Sequence, residues 1–277
     1  MQRGLTPQLG ALGATLVRFL FGFPFALLFL AGVLAWSRAG LPAINTSFLL
    51  WIVLGALTQI FATALMLMTM EHRSFVVTTA YLKTEPVLVA LLGLLLLRDP
   101  LTPAMGLAIV IAMTGIALIS IKPEALRGGL KPALLGLSSA ALFAASAIGY
   151  RGAILALHQT GFVLGASFSL AAGLALQTLL LLAWLLLFDR KTLAALARLW
   201  RPSLMAGFAG AAASQFWFLA FALATAASVR TLALVEVLFA QGVSRFVFAQ
   251  KTSGREAAGI GLLLAGAILI VWASPKG

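Results

Sequence analysis

The chain has 277 residues, of which 62% are hydrophobic and 9% are charged, and its mean hydropathy is +1.09. Soluble domains have about 45–50% apolar and about 25% charged residues, so the composition excludes a soluble domain and indicates an integral membrane protein. The net charge of +12 is spread singly over short loops, without a clustered basic face, so lipid headgroups are the expected partner and nucleic acid is not.

Apolar runs of about 20 residues, the length that a helix needs to cross a bilayer, recur along the whole chain. Barrel strands would alternate in polarity and would be about ten residues long, so we predict an all-α integral membrane bundle. Nine transmembrane helices are predicted. They cover residues 9–36, 47–70, 75–97, 102–121, 132–154, 162–188, 202–225, 227–249 and 255–273.

The third segment, Val76–Leu97, carries Lys83, Glu85 and Pro86 near its middle. A charge at mid-bilayer costs at least about 2.5–3.5 kcal/mol on insertion scales, and a proline there removes a helix hydrogen bond. Charged residues inside a membrane are therefore candidates for a functional site. On a continuous helix Lys83 and Glu85 are about 200° apart, so Glu85 shares a face with Tyr81 and Lys83 does not.

Two halves of the chain repeat in sequence on either side of a linker at residues 122–131. Glu85 aligns with Glu236 at an offset of 151 residues, and the same offset places Gly115 on Gly266. The second copy has valine after its glutamate where the first copy has Pro86, so the helix break is not expected to repeat.

The first repeat is predicted at residues 1–121, with four helices, and the second at 132–277, with five. Two halves with an odd number of helices insert in opposite orientations, which is the inverted-repeat architecture of many secondary transporters. One helix of a ten-helix pattern is then missing before Met1, unless a nine-helix form is the real one.

The positive-inside rule gives a first estimate of orientation. The face with the N-terminus and the loops after the even-numbered segments holds more basic residues. They are Arg3, Arg73, Lys122, Arg127, Lys131, Arg190, Lys191, Arg198, Arg201, Lys251 and Arg255, against Arg38, Arg98, Arg151, Arg230 and Lys276 on the other face. Met1 is therefore expected in the cytoplasm and the C-terminus outside.

Four stretches carry a resemblance to a known family. They are VRFLFGFPFALL (Val17–Leu28), TEPVLVALLGLLLLRDPLT (Thr84–Thr102), GLAIVIAMTGIALI (Gly106–Ile119) and GIGLLLAGAILI (Gly259–Ile270). With them the chain resembles the EamA family of the drug/metabolite transporter superfamily. The resemblance implies ten helices in two inverted five-helix repeats, a central cavity, and export or exchange of small metabolites such as amino acids. It also implies that both termini are cytoplasmic, which disagrees with the count of basic residues.

Glu85, Lys83, Tyr81 and Glu236 are the candidates for a substrate site near mid-membrane. In one interpretation Glu85 and Lys83 line a cavity and bind the ammonium and carboxylate groups of the substrate. In the other, Lys83 forms an ion pair with Glu236 that only locks the repeats together. Glu85 and Glu236 are also candidate proton carriers for an antiporter, because desolvation favours a protonated carboxyl; permanent neutralisation by Lys83 is the alternative.

Polar side chains in the second and seventh segments extend the candidate substrate site. Gln59 and Gln215 occupy related positions, and Trp217 lies beside the second of them. Either packing through interhelical hydrogen bonds or substrate contact would explain the amides. Gln241 is a further candidate, on a helical stripe with Arg230.

Three other polar residues are expected to have structural roles. Arg230 is expected to extend to the lipid headgroups, although it could bind an anion. Tyr150 is expected in an interfacial aromatic belt, with a gate as the alternative. Arg18 is expected in a structural salt bridge or a contact with a helix end.

No Ser-His-Asp set, metal-ligand cluster or Walker lysine occurs in the sequence, so we predict no enzymatic activity, no cofactor and no metal. The predicted function is a secondary transporter or exporter of small metabolites, with amino acids of the aromatic or large neutral class as substrates, working by alternating access. The expected place is the bacterial inner membrane, as a protein that could act as a monomer. Alternatives are an exporter of drugs or nucleotide sugars, a lipid-handling enzyme, and a membrane subunit that transports nothing.

Overall fold

The computed structural model describes residues 2–72, 75–120, 130–157, 160–239 and 253–273. Helices make up 89% of the structure and no strand occurs among the described residues, which confirms the predicted all-α class. The helices in chain order are α1 (Gln2–Ser37), α2 (Thr46–His72), α3 (Phe75–Leu82), α4 (Glu85–Leu92), α5 (Pro103–Ser120), α6 (Leu130–Ala156), α7 (Phe162–Phe188), α8 (Arg190–Arg198), α9 (Trp200–Leu223), α10 (Ala226–Ala233) and α11 (Gly254–Ala273).

Seven segments within the described residues are long and apolar enough to cross a membrane. They are Leu9–Ser37, Thr46–Glu71, Thr78–Leu97, Leu130–Ala156, Phe162–Phe188, Ser203–Leu223 and Gly254–Ala273. Pro103–Ile119 is a shorter apolar helix at the place of the fourth predicted segment. The eighth predicted segment, 227–249, is described only as far as residue 239, so the count of nine stays a prediction.

The chain forms two compact units, each drawn from both halves of the sequence. Unit 1 consists of residues 1–68 and 145–223, and unit 2 of residues 69–144 and 224–277. The repeats at residues 1–121 and 132–277 are defined by sequence similarity alone. They stay a prediction, and the two compact units do not test them.

Small residues allow close helix packing in unit 1. A Cβ built on Gly207 of α9 would lie 2.4 Å from the carbonyl carbon of Phe21 in α1. A Cβ on Gly149 of α6 would lie 2.5 Å from the backbone nitrogen of Gly55 in α2. Any larger side chain at these two glycines would separate the helices, so their backbones approach closely only because the side chain is missing.

In unit 2, α5 and α11 pack through a reciprocal set of contacts. A Cβ on Gly115 would lie 2.7 Å from the Gly259 oxygen and 2.6 Å from the Leu263 nitrogen. A Cβ on Gly266 would lie 2.9 Å from the Ala108 oxygen and 2.7 Å from the Ala112 nitrogen. Adding 151 to the residue numbers of Gly115, Ala108 and Ala112 gives Gly266, Gly259 and Leu263, so each set of contacts is the other with the two copies exchanged. Such exchange of partners is the property of an interface with two-fold symmetry.

Both copies of the glutamate segment break their helix, and this corrects one expectation. The chain turns at residues 83–84 between α3 and α4, and again at 234–235 after α10, before residues 236–239 resume a helix. The Thr84 nitrogen donates to the Tyr81 oxygen at 3.1 Å, and at the offset of 151 the Val235 nitrogen donates to the Leu232 oxygen at 3.1 Å. The break therefore recurs at equivalent positions of the two copies without a second proline. In both copies it is a tightened turn in which a hydrogen bond joins residues three apart.

Candidate functional site

The two helix breaks of unit 2 bring four charged side chains together in pairs. Lys83 Nζ donates a hydrogen bond to Glu236 Oε1, and Arg230 Nε lies 3.0 Å from Glu85 Oε1. Each pair joins the α3–α4 segment to the α10 segment. The structure therefore contains the Lys83–Glu236 ion pair that the sequence offered as the alternative to a substrate-binding pair.

The turn at residues 83–84 explains why both Lys83 and Glu85 contact the same neighbouring segment. On a continuous helix the two side chains would point about 200° apart, as projected from the sequence. The tightened turn changes that rotation, so the projection does not apply across it. Pro86 stands in the first turn of α4, where a missing N–H removes no helix hydrogen bond.

The two ion pairs differ in exposure. The Glu85 and Arg230 side chains are 12% and 18% exposed, so this pair is largely buried. Lys83 is 16% exposed, but Glu236 is 64% exposed, so its carboxylate remains accessible on one side. The expectation that Arg230 reaches the headgroups is wrong, because its guanidinium instead faces a buried carboxylate.

An apolar, open cavity of about 550 Å³ lies beside the first helix break in unit 2. Its lining combines the start of α4 with parts of α5 and α6. The lining residues are Thr84, Val87, Leu88, Met113, Leu137, Ser138 and Ala141. Thr84 separates Lys83 from Glu85 in sequence, so the cavity opens next to the charged pairs.

Tyr81 packs closely in unit 2. A Cβ built on Gly136 of α6 would lie 2.6 Å from Tyr81 Cδ2, so the tyrosine ring occupies the space that the glycine leaves. The ring is half-buried. A packing role is therefore visible for Tyr81, and its contact with a substrate stays a prediction.

In unit 1, Gln59 belongs to a buried hydrogen-bond network. Tyr150 Oη donates to Gln59 Oε1 at 2.8 Å, and Gln177 Nε2 donates to the same oxygen at 2.7 Å. Gln177 Nε2 also lies 2.9 Å from Tyr150 Oη and 3.4 Å from the Ala56 oxygen. Because all three neighbours accept hydrogen bonds from Gln177 Nε2, the orientation of the Gln177 amide is fixed. The Gln177 Oε1 atom has no hydrogen-bond partner among the described residues.

Tyr150 and Gln177 were not recognised as partners of Gln59 from the sequence. Tyr150 is 2% exposed and its ring lies 4.6 Å from that of Phe218, so the expected place in an interfacial belt is wrong. Gln177 is fully buried in the middle of α7. A lone amide inside an apolar run was the available signal, since an amide in hydrocarbon requires a partner.

The other candidates lie apart from the Gln59 network or outside the described residues. Gln215 Nε2 donates to Ser167 Oγ at 2.9 Å, and the Trp217 ring lies 5.9 Å from that of Phe221. Arg18 Nη2 donates to Ser214 Oγ at 3.3 Å, which is a contact between helices. Gln241 is not among the residues that the structure describes.

Arg151 was counted among the basic residues of one membrane face and is instead buried within α6. Its side chain is 9% exposed, and Nη1 donates to the Phe221 oxygen at 2.6 Å. That oxygen lies in the last turn of α9, where unsatisfied carbonyls attract a positive charge. Arg151 therefore joins α6 to α9 inside unit 1.

A family model described as the EamA-like transporter family matches the chain over residues 1–121. Residues 1–121 therefore resemble the EamA-like transporter family, which is part of the drug/metabolite transporter superfamily. The match confirms the resemblance read from the sequence. It identifies the chain as related to membrane transporters of small molecules.

The fold of this chain is similar to that of solved structures. One solved structure, described only as "Crystal structure of protein", matches with a TM-score of 0.65. The match covers 96% of this chain and 90% of the other chain. Its sequence identity of 15% carries information about the fold alone. No curated protein matches the chain.

Proposed function

We propose that this EamA-like chain is a secondary transporter that exports small zwitterionic metabolites, with aromatic or large neutral amino acids as substrates. The observation that carries the proposal is the Lys83–Glu236 pair at two helix breaks, the first of them inside the membrane-length segment Thr78–Leu97 and the second inside the predicted segment 227–249. Charged groups at such depth are costly and mark substrate pathways in many membrane proteins. The exposed carboxylate of Glu236 makes this pair the accessible one of the two.

A zwitterion can replace the Lys83–Glu236 contact without leaving a charge unpaired. Its carboxylate would bind the Lys83 ammonium and its ammonium would bind the Glu236 carboxylate, so one ion pair is exchanged for two. Meanwhile Arg230 keeps Glu85 neutralised. The apolar cavity at Thr84 would suit an aromatic or aliphatic side chain.

The inverted repeat and alternating access are parts of the same proposal. The reciprocal contacts of Gly115 and Gly266, and the helix breaks that recur at the offset of 151 residues, support two copies related by a two-fold axis. Two inverted copies give a transporter two similar conformations that open to opposite sides of the membrane. Gln59, Gln215 and Trp217 remain candidate contacts in unit 1.

Transport in proteoliposomes tests the substrate class and the pair together. We expect saturable flux of phenylalanine or leucine, reduced at least about tenfold by Lys83→Met and by Glu236→Gln, because each variant removes one of the two substrate contacts. Lys131→Met, which removes an exposed charge at the start of α6, is the control and should keep normal flux. Flux of a sugar phosphate or a drug cation, with none of any amino acid, would overturn the proposal.

The double variant Lys83→Met/Glu236→Gln separates binding from packing. If the pair only holds the helices together, replacing both charges should restore flux toward the wild-type rate. If the pair binds substrate, the double variant stays inactive although it folds. A restored rate therefore argues against the substrate role.

Proton coupling is a second candidate property of this site. Glu236 is the better carrier because its carboxylate is accessible, whereas Glu85 is largely buried against Arg230. Protonation of Glu236 would remove the carboxylate that binds the substrate ammonium, so proton and substrate would compete for this residue, as an antiporter requires. Flux that responds to a pH gradient in the wild type but not in Glu236→Gln would support this; flux that ignores the gradient contradicts it.

A further inference from the structure

Helix α8 connects two membrane-length helices with almost no linker. The apolar segment of α7 ends at Phe188, α8 occupies Arg190–Arg198, and α9 begins at Trp200. The nine residues of α8 are about 14 Å long, too short to cross a bilayer. Since both neighbours are candidate spans, α8 must lie where the chain leaves the hydrocarbon, at the level of the headgroups.

One face of α8 packs against other helices of unit 1, α1 among them. Leu196 is 3% exposed, and a Cβ built on Gly13 of α1 would lie 2.6 Å from Thr192 Cγ2. The missing side chain at Gly13 therefore lets α8 sit directly on α1. This contact fixes the rotation of α8 about its own axis.

The opposite face of α8 is basic and exposed. Arg190, Lys191 and Arg198 fall within about 100° on the helix, roughly opposite Thr192 and Leu196. All three basic residues are exposed. The packing of α8 on α1 thus leaves its positive charges on the surface.

Asp189, the acidic residue that precedes α8 in the sequence, offsets only part of the positive charge of this face. Asp189 caps the helix: its Oδ1 accepts from the Thr192 nitrogen at 3.2 Å and its Oδ2 from Thr192 Oγ1 at 2.6 Å. These hydrogen bonds lower the pKa of Asp189, with a smaller contribution from the charge of Lys191. The Arg190 Nε donates to the Leu186 oxygen at 2.8 Å, so Lys191 and Arg198 are the charges best placed to reach outward.

Aromatic side chains flank α8 at both ends. The Trp184 and Phe188 rings lie 4.5 Å apart and both residues are exposed. At the other end Trp200 is half-exposed, and the Arg201 guanidinium lies 5.4 Å from the centre of its ring. Tryptophan and basic residues together are typical of helices that lie in the membrane interface.

We propose that the basic face of α8 binds the headgroups of anionic phospholipids, with Lys191 and Arg198 contacting phosphate and Trp200 setting the depth of the helix. Positive charge next to exposed aromatic rings fits a lipid, which offers both a phosphate and an apolar chain. A free anion in water would satisfy only the charges. The inference concerns the membrane surface and does not depend on the substrate that the protein carries.

Native mass spectrometry of the purified full-length chain in detergent, with phosphatidylglycerol or phosphatidylcholine added, tests the site. One basic residue near an anionic surface is worth about a fivefold change in binding. We expect Lys191→Gln/Arg198→Gln to raise the phosphatidylglycerol dissociation constant by about 25-fold and to leave phosphatidylcholine binding unchanged. The conservative variant Lys191→Arg/Arg198→Lys should bind like the wild type.

The control is Arg38→Gln/Arg98→Gln, which removes two exposed charges from other parts of the chain. The proposal is overturned if this control weakens phosphatidylglycerol binding as much as the α8 variant does, or if the α8 variant binds normally. Displacement of the lipid by millimolar inorganic phosphate would also overturn it, by identifying a site for a free anion. Thermal unfolding of each variant establishes that the protein is folded in every comparison.

Discussion

The two ion pairs of unit 2 differ in what their removal should do. Glu85 and Arg230 are both largely buried, so each needs the other to offset the loss of hydration. Lys83 is similarly buried, but Glu236 is mostly exposed and its carboxylate is less dependent on its partner. At the scale of single residues, Glu85–Arg230 is therefore the structural pair, and Lys83–Glu236 is the one that can open.

We expect Arg230→Met to destabilise the folded protein by about 3–5 kcal/mol, because it leaves the Glu85 carboxylate buried beside no cation. Glu85→Gln/Arg230→Met should recover most of that stability, since neither charge remains. Thermal unfolding in detergent measures both effects. A double variant no more stable than Arg230→Met would contradict this account, because an unpaired Glu85 carboxylate would then not be the cause of the loss.

At the scale of secondary-structure elements, the helix break before the glutamate recurs in both copies. Pro86 accompanies the break between α3 and α4, but the break after α10 occurs in a stretch without proline. In both places the chain turns just before the glutamate, which is then positioned against the other segment. The break therefore depends on tertiary packing of the two copies, and proline is one of two ways to accommodate it.

The α5–α11 interface offers a matched pair of substitutions on one helix. A Cβ at Gly266 would meet the Ala112 nitrogen at 2.7 Å, whereas a Cβ at Gly261 meets nothing within 4 Å. We expect Gly266→Ala to destabilise the protein by about 1–3 kcal/mol through overpacking. Gly261→Ala should be neutral or stabilising by up to about 1 kcal/mol, because alanine favours a helix.

Denaturation of the two glycine variants in one detergent measures the difference directly. If Gly266→Ala is as stable as Gly261→Ala, the close approach of α5 and α11 is wrong. Gly115→Ala should behave like Gly266→Ala, since the two glycines exchange equivalent partners.

For the whole molecule, two of the basic residues counted for the orientation are held inside the fold. Arg151 is buried in α6 and Arg230 is held by Glu85, so neither acts as a loop charge. Removing them leaves Arg38, Arg98 and Lys276 on the face that was already poorer in basic residues. With these two residues omitted, the positive-inside rule still predicts that α8 lies on the cytoplasmic face.

Single cysteines can test this orientation because the native chain has none. With a membrane-impermeant maleimide on intact cells, we expect Arg38→Cys to be labelled and Lys191→Cys to be labelled only after permeabilisation. Both residues are exposed, so access to the reagent should depend on the side of the membrane. Labelling of Lys191→Cys from outside would reverse the orientation.

Eight of the nine spanning segments were predictable because membrane insertion selects for long apolar runs, and their bounds agree with the described helices to within a few residues; the eighth, 227–249, stays a prediction because it is described only as far as residue 239. Lys83, Glu85 and Glu236 were recognisable because charges are rare inside such runs. The partners of buried polar residues were harder to predict: Arg230, which pairs with Glu85, was assigned to the headgroups, and Gln177, which bonds Gln59, was not selected.

The amino-acid sequence by itself determined that the protein is a helical membrane protein, where its apolar segments lie, and which polar residues within them need an explanation. Tertiary structure decided the pairing. Lys83 and Glu236 are 153 residues apart, and Tyr150 and Gln59 are 91 apart, so no local pattern specifies these contacts. Hydrophobicity is a property of each segment, whereas a buried charge or amide is satisfied by whichever segment packs against it.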